Sequence, residues 1–302
     1  MQRSTKWFLG ILAIFLLIVG GFFLLIIGLL TSSIPSEIEV VTQGSGDKVG
    51  VVEVFGTIVS SSEINRQLKG YAEDNSIRAI LLHINSPGGG VVASQEIYEQ
   101  VRRIREEGTP VIVSMGSLAA SGGYYIACGA TRIVANKGTL TGSIGVIAEF
   151  LQLREALDKI GVGVKVIKSG RMKDAGSPMK DMTTEDEAYF QSLMDDVHRQ
   201  FAEVVILERK LDRDKVLEIA DGRVFTGEDA LVKGLIDTLG TFQDAVAITA
   251  AIAGIDGEPA LVRERQRHYW WEDFGADVMS EVTALKNEIL DRPVLSYRFV
   301  GP

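Results

Sequence analysis

One cysteine in 302 residues, Cys128, excludes an intrachain disulfide and any structural zinc site built on several thiolates. Histidine is almost as scarce: only His83, His198 and His268 are present, so chemistry that needs an imidazole base has three candidates. Basic residues number 31 against 40 acids, and the net charge of −9 argues against nucleic acid as a main partner. Long apolar runs are missing too, with one exception. Trp7 to Leu30 carries no charge, and as a helix rising about 1.5 Å per residue it would span a hydrocarbon core of about 30 Å. A cleaved leader has an apolar core of only about 7 to 15 residues, and Thr31-Ser32-Ser33-Ile34-Pro35 lacks an A-x-A-like site, so an uncleaved anchor is expected. Arg3 and Lys6 precede the run, while no Lys or Arg lies between Thr31 and Asp47. The positive-inside rule then puts the N-terminus in the cytoplasm and everything after residue 30 outside the cell (inner) membrane, on the periplasmic or extracellular side. The first 30 residues carry +2, which leaves −11 on the rest.

What is plentiful is glycine and a regular alternation of segments. The expected organisation is a cytoplasmic end at 1–6, an anchor at 7–30, a linker at 31–48, a globular domain at 49–254 and a helical extension at 255–302. Strands are expected at Ile77–Ile84, Val111–Met115, Arg132–Ala135 and Val162–Ile167, and helices at Val92–Glu107 and Ser121–Cys128. Such alternation with short connections implies an α/β domain. A long helix is announced by Thr184 and Glu187 as a capping box and by Phe190, Leu193, Met194, Val197, Phe201, Val204 and Val205 at helical spacing. Further α/β pattern runs through Gly222–Asp237 and Phe242–Ile252, and Trp271–Leu290 reads as a weaker helix.

Between Ser86 and Gly145, 11 of 60 residues are glycine, which is where a backbone built to approach a ligand would lie. Ser86-Pro87-Gly88-Gly89-Gly90 and Ala119-Ala120-Ser121-Gly122-Gly123-Tyr124-Tyr125 each follow an apolar strand and open a helix, the junctions at which open parallel sheets hold ligands. No phosphate-loop pattern occurs in either. Glycine N–H groups aimed at one point suit a developing oxyanion, and Ser121 beside them reads either as a nucleophile or as a plain helix cap. With His198 and His268 in charged stretches and His83 in a strand, lysine is the better base for such a serine. It can serve only where burial or nearby cations bring its pKa down from about 10.4. Lys173 and Lys168 are the local candidates, and spacing does not separate them.

Together SPGGG, MGSLAASGGYYIACGA, TGSIGV at Thr141–Val146 and KSGRMKDAGSP resemble the signal peptide peptidases of the SppA type in their short single-domain form, over residues 49 to 250. The resemblance implies a crotonase/Clp-protease-like fold behind one N-terminal transmembrane helix. It implies a Ser/Lys dyad with Ser121 as nucleophile and Lys173 as base, Gly88 and Gly122 as oxyanion donors, and Ser143 orienting the lysine. It also implies no metal or cofactor, peptide substrates such as cleaved signal peptides, and a homo-oligomer with the dyads inside. Two other functions compete: an acyl-CoA enzyme of crotonase fold, disfavoured by a position outside the membrane, and an inactive tethered scaffold that binds through Trp270 and Trp271.

Overall fold

The computed structural model describes residues 38–266 and 296–299, together with Trp7, Leu12 and residues 14–21. They fall in two compact units, one of residues 41–264 and 292–302, the other of residues 1–40 and 265–291. The described part of the expected anchor is helical and exposed. Among the described residues no helix is long and apolar enough to cross a membrane. The remainder of 7–30 and the expected helix at Trp271–Leu290 lie outside the described residues.

The larger unit is built on a mostly parallel sheet whose centre is β2 (Lys48–Phe55), β3 (Ile77–Ser86), β5 (Val111–Ala120) and β6 (Arg132–Ala135), in that order. Val52, Val54, Ile80, Leu82, Val113 and Met115 point to one face. That face is covered by α1 (Ser62–Glu73), α2 (Val91–Glu106), α3 (Gly122–Cys128) and α5 (Thr184–Arg209). Val49, Val51, Leu81 and Ile112 point the other way, against Ala245, Val246 and Ala250 of α8 (Phe242–Ala253). Strands covered on both faces carry near-continuous apolar runs, which is why they stand out in the sequence.

Four expectations need correction. Residues 38–43, inside the expected linker, form a strand, β1 (Ile38–Gln43). The domain does not end at 254: β10 (Ala260–Gln266) pairs in parallel with β2, Ala260 opposite Lys48, so part of the expected helical extension belongs to the sheet. A short strand, β11 (Ser296–Arg298), pairs antiparallel with β4 (Gly88–Gly90). Val162–Ile167 is not a strand; it follows α4 (Arg154–Lys159) as exposed chain with no partner strand among the described residues. The capping box of α5 is real but one residue earlier, made by Thr183 and Asp186 rather than Thr184 and Glu187, because Thr183 is the last residue with extended backbone.

Candidate active site

β5 ends at Ala120 and α3 begins at Gly122, and Ser121 makes the turn between them with φ 53° and ψ −115°. A side-chain-bearing residue in such a conformation costs of order 1–3 kcal/mol and persists only where its neighbours fix it. Two bonds do so. The Ser121 N–H donates to Gly142 O at 2.7 Å, and the Ser121 carbonyl accepts from Tyr125 N at 2.8 Å in the first turn of α3. Gly142 arrives there because β7 (Leu140–Gly142) runs beside the end of β5, with Ala120 opposite Gly142. The hydroxyl of Ser121 does not cap the helix. It is 1% exposed and its Oγ has no hydrogen-bond partner. A buried hydroxyl left unpaired costs about 1–3 kcal/mol, so this group is held ready for something other than stability.

Ser143 is the next residue after Gly142 and also has a positive φ, 52°, with its N–H bonded to Arg223 O at 2.9 Å. Among the described residues only Ser121, Ser143 and Lys210 combine a side chain with positive φ, and Lys210 is the C-cap of α5. The other two strained residues thus meet at one place, joined through Gly142.

The glycine strand β4 supplies the facing wall. Gly88 O accepts from Ile58 N at 2.9 Å and Gly90 N donates to Ile58 O at 2.7 Å. Strand alternation then turns the N–H and C=O of Gly89 to the opposite edge. The Gly88 N–H is already used, donating to Ser86 Oγ at 3.0 Å. The Gly88 N–H, expected as an oxyanion donor, is thus engaged within its own turn, while that of Gly89 is turned to the edge of β4 away from Ile58. Gly88 has a different task. Its φ is +95°, and a Cβ there would lie 1.9 Å from Tyr297 O and 2.6 Å from Gly122 N, so only glycine lets the three strands of backbone meet. Gly122, as the first residue of α3, has an N–H with no helical acceptor and remains a candidate donor.

The structure separates the two lysines. Lys168 Nζ is tied to Asp174 Oδ1 at 2.6 Å and to Arg171 O at 2.9 Å, and hydrogen bonds from Lys168 first, then Lys180, hold the Asp174 carboxyl below its ordinary value. Lys173, in a 3-10 turn over Arg171–Asp174, is exposed; its backbone N–H donates to Gly170 O at 3.1 Å, and its Nζ makes no ion pair or hydrogen bond with the described residues. It does not reach Ser121 Oγ within the protomer. Among the described residues no imidazole takes its place. His83 is packed between Phe55 and Phe242, at 5.1 and 5.0 Å between ring centroids, and burial lowers its pKa. His198 is half-buried rather than on an open face, its Nε2 2.7 Å from Ala220 O. His268 lies outside the described residues. Cys128 is no rival nucleophile, since burial pushes its thiol up to about 12.

One candidate escaped the sequence reading, Gly89. The signal for Gly89 was the strand character of SPGGG itself, since alternation exposes the middle glycine of Gly88–Gly90 to one edge and its neighbours to the other.

Comparison with known proteins places the chain in a family. Residues 103–256, half of the chain, match the profile of Peptidase family S49, and residues 55–137 match that of Clp protease. A protease of Synechocystis sp. is 45% identical over 211 residues, 69% of this chain and 76% of that protein. A signal peptide peptidase SppA of Enterococcus faecium is 36% identical over 67% of this chain and 62% of its own length. The chloroplastic serine protease SPPA of Arabidopsis thaliana is 34% identical over 68% of this chain but only 30% of its own length. With its α/β fold, its strained buried serine and these relatives, the chain belongs to Peptidase family S49 and is a serine protease.

Proposed function

We propose that this protein is a membrane-anchored endopeptidase with a Ser121/Lys173 dyad, hydrolysing remnants of cleaved signal peptides and other unfolded peptides on the outer side of the cell membrane. The observation that carries the reading is Ser121, a buried and unpartnered hydroxyl held at positive φ beside glycine backbone. The amine of Lys173 takes the proton of Ser121 Oγ, the oxygen attacks a peptide carbonyl, and the oxyanion is held by the N–H groups of Gly89 and Gly122. The lysine then gives the proton to the leaving amine, and water releases the acyl group by the same route. Ser143 fixes the lysine at the site.

Because Lys173 stays in solvent within the protomer while Ser121 is buried, the base comes from a neighbouring copy of the chain. The segment that carries it is suited to such docking. Val162, Val164 and Val166 are about half exposed and Ile167 is 90% exposed, an apolar stretch that a lone soluble protein would seldom leave uncovered. The uncharged run 7–30 anchors the assembly, with the basic Arg3 and Lys6 kept inside.

The test is cleavage of unfolded casein by the full chain in detergent. Ser121→Ala and Lys173→Ala each lose activity by at least about a thousandfold, and Lys168→Ala keeps it. Mixing the two inactive proteins before assembly restores about one site in four, since each site draws one residue from each of two protomers. Wild-type rates in either single variant would end the dyad reading, and absence of restoration in the mixture would end the shared site.

A further inference from the structure

Charged side chains surround the turn that carries Lys173, and nearly all of them are matched. Arg154 of α4 pairs with Asp181 at 2.8 Å, Arg171 with Glu185, and Lys180 with Asp186 at the start of α5 at 2.8 Å. Glu149 has a partner of its own. Lys165 and Glu187 are exposed and make no ion pair among the described residues. Asp174, the residue after Lys173 and in the same 3-10 turn, is matched twice, by Lys168 Nζ at 2.6 Å and by Lys180 Nζ at 3.3 Å. Its side chain is only 15% exposed, which sets this arrangement apart from a chance meeting of solvated groups.

A carboxylate within about 4–6 Å of an ammonium favours the charged form, and a charged lysine has no lone pair with which to take a serine proton. Adjacent residues of opposite charge do reach one another in this chain, as Arg105 and Glu106 do at 3.8 Å. The flexible four-carbon stem of lysine makes such a reach easy. Released from its partners, Asp174 is therefore the group best placed to trap Lys173 in its protonated form. Hydrogen bonds from Lys168 first and Lys180 second hold its carboxyl below the ordinary value, so it is ionised wherever a lysine can act as base.

We propose that Lys168 and Lys180 are positioning residues for the base: gripping the Asp174 carboxylate between them, they keep it off Lys173, which reaches the serine as an unpaired amine. The proposal rests on Lys173 being the base of the dyad. Two partners make the grip redundant. Lys168→Ala leaves Asp174 on Lys180, which is why activity survives in that variant, whereas removal of both cations sets the carboxylate loose. The turn has other supports that outlast this loss. Gly176, at φ +74°, is so close to Phe150 and Phe190 that a Cβ there would lie 2.8 and 3.1 Å from their rings, and Leu153 N donates to Pro178 O at 2.8 Å.

The test is the pH dependence of kcat/KM for unfolded casein, measured on the full chain in detergent between about pH 6 and 10. In the double variant Lys168→Met with Lys180→Met, the acid limb should move up by at least about one pH unit, the size of effect that one adjacent opposite charge produces. Adding Asp174→Asn to the pair should reverse most of that shift. Damage to the fold is not repaired by taking away a third side chain, so the reversal separates positioning from a merely structural role. An acid limb that stays in place in the double variant, or that stays equally displaced in the triple, overturns the inference. Lys173→Ala is the reference: if it is inactive while the limb of the double variant has not moved, the dyad stands and the grip on Asp174 falls alone. Wild-type activity in Lys173→Ala overturns the dyad and this inference with it.

Discussion

At the scale of single residues the site is a set of local costs that the surroundings tolerate. Ser121 combines positive φ with a buried hydroxyl that has no partner. Neither feature stabilises the fold, so removing both should. Glycine adopts φ 53° without steric penalty, and its own entropic cost of about 0.5–1 kcal/mol is smaller than the strain and desolvation it relieves. Ser121→Gly is therefore expected to abolish proteolysis while raising unfolding free energy by roughly 1 kcal/mol, read from the denaturation midpoint at constant m-value. A midpoint shifted downward would mean that the serine is not strained in the folded state. The residues that gave the site away in the sequence were those whose chemistry is unusual for their place: glycine next to glycine, and a serine at the strand-to-helix turn. Gly88 and Gly89 could not be told apart there, because both are glycine and only the direction of their N–H groups differs. That direction is fixed by Ile58 and Ser86, whose partnership with β4 is a tertiary fact.

Whole elements were legible where burial is two-sided. β3, β5 and β6 and the helices between them follow from apolar runs and helical spacing, and their observed limits lie within a few residues of those expected from periodicity, except that β5 runs on to Ala120. Val162–Ile167 has the same composition but no partner strand among the described residues, so composition alone overstated its order. β11 went unnoticed for the opposite reason, since three residues of mixed character carry no periodicity and are held by Gly89 and Ile147 from far away in sequence. The start of α5 is pinned by charge to the segment that precedes it. Asp186 bonds Lys180 Nζ at 2.8 Å and closes the capping box with Thr183, and the Lys180 hydrogen bond first, with the Thr183 backbone N–H, brings its pKa from 3.8 to about 2. A folded pKa below the unfolded one adds stability at pH above the unfolded value, and that stability is lost as pH falls through the folded one. Between about pH 4 and 2 the wild type should thus lose stability faster than Asp186→Asn, which starts lower at neutral pH. Parallel stability curves for the two proteins in acid denaturation would show that the pair does not hold the helix start.

At the scale of the whole molecule, the protomer has a finished core and an unfinished site. Both faces of the sheet are covered, yet the candidate base stands in solvent and the apolar stretch before it is bare. The proposed function joins these two facts in a ring or pair in which each copy covers the 160–167 stretch of another and delivers Lys173 to its serine. Closed symmetric assembly is the common outcome when a chain carries a patch and its complement on different surfaces. The consequence is that a charge placed on the bare stretch acts on assembly and not on folding. Ile167, 90% exposed, makes little contribution to the fold of a single chain, so Ile167→Asp should leave the unfolding free energy of the dissociated chain unchanged within about 0.5 kcal/mol, the usual range for surface substitutions. In sedimentation velocity it should shift the population from oligomer to monomer, and casein cleavage should fall in proportion to the oligomer lost. Raising protein concentration should recover both together, because the defect lies in association. If the variant sediments as an oligomer of wild-type size, or if its monomer cleaves casein at the wild-type rate per chain, then Lys173 meets Ser121 without a second copy and the exposed stretch serves another purpose.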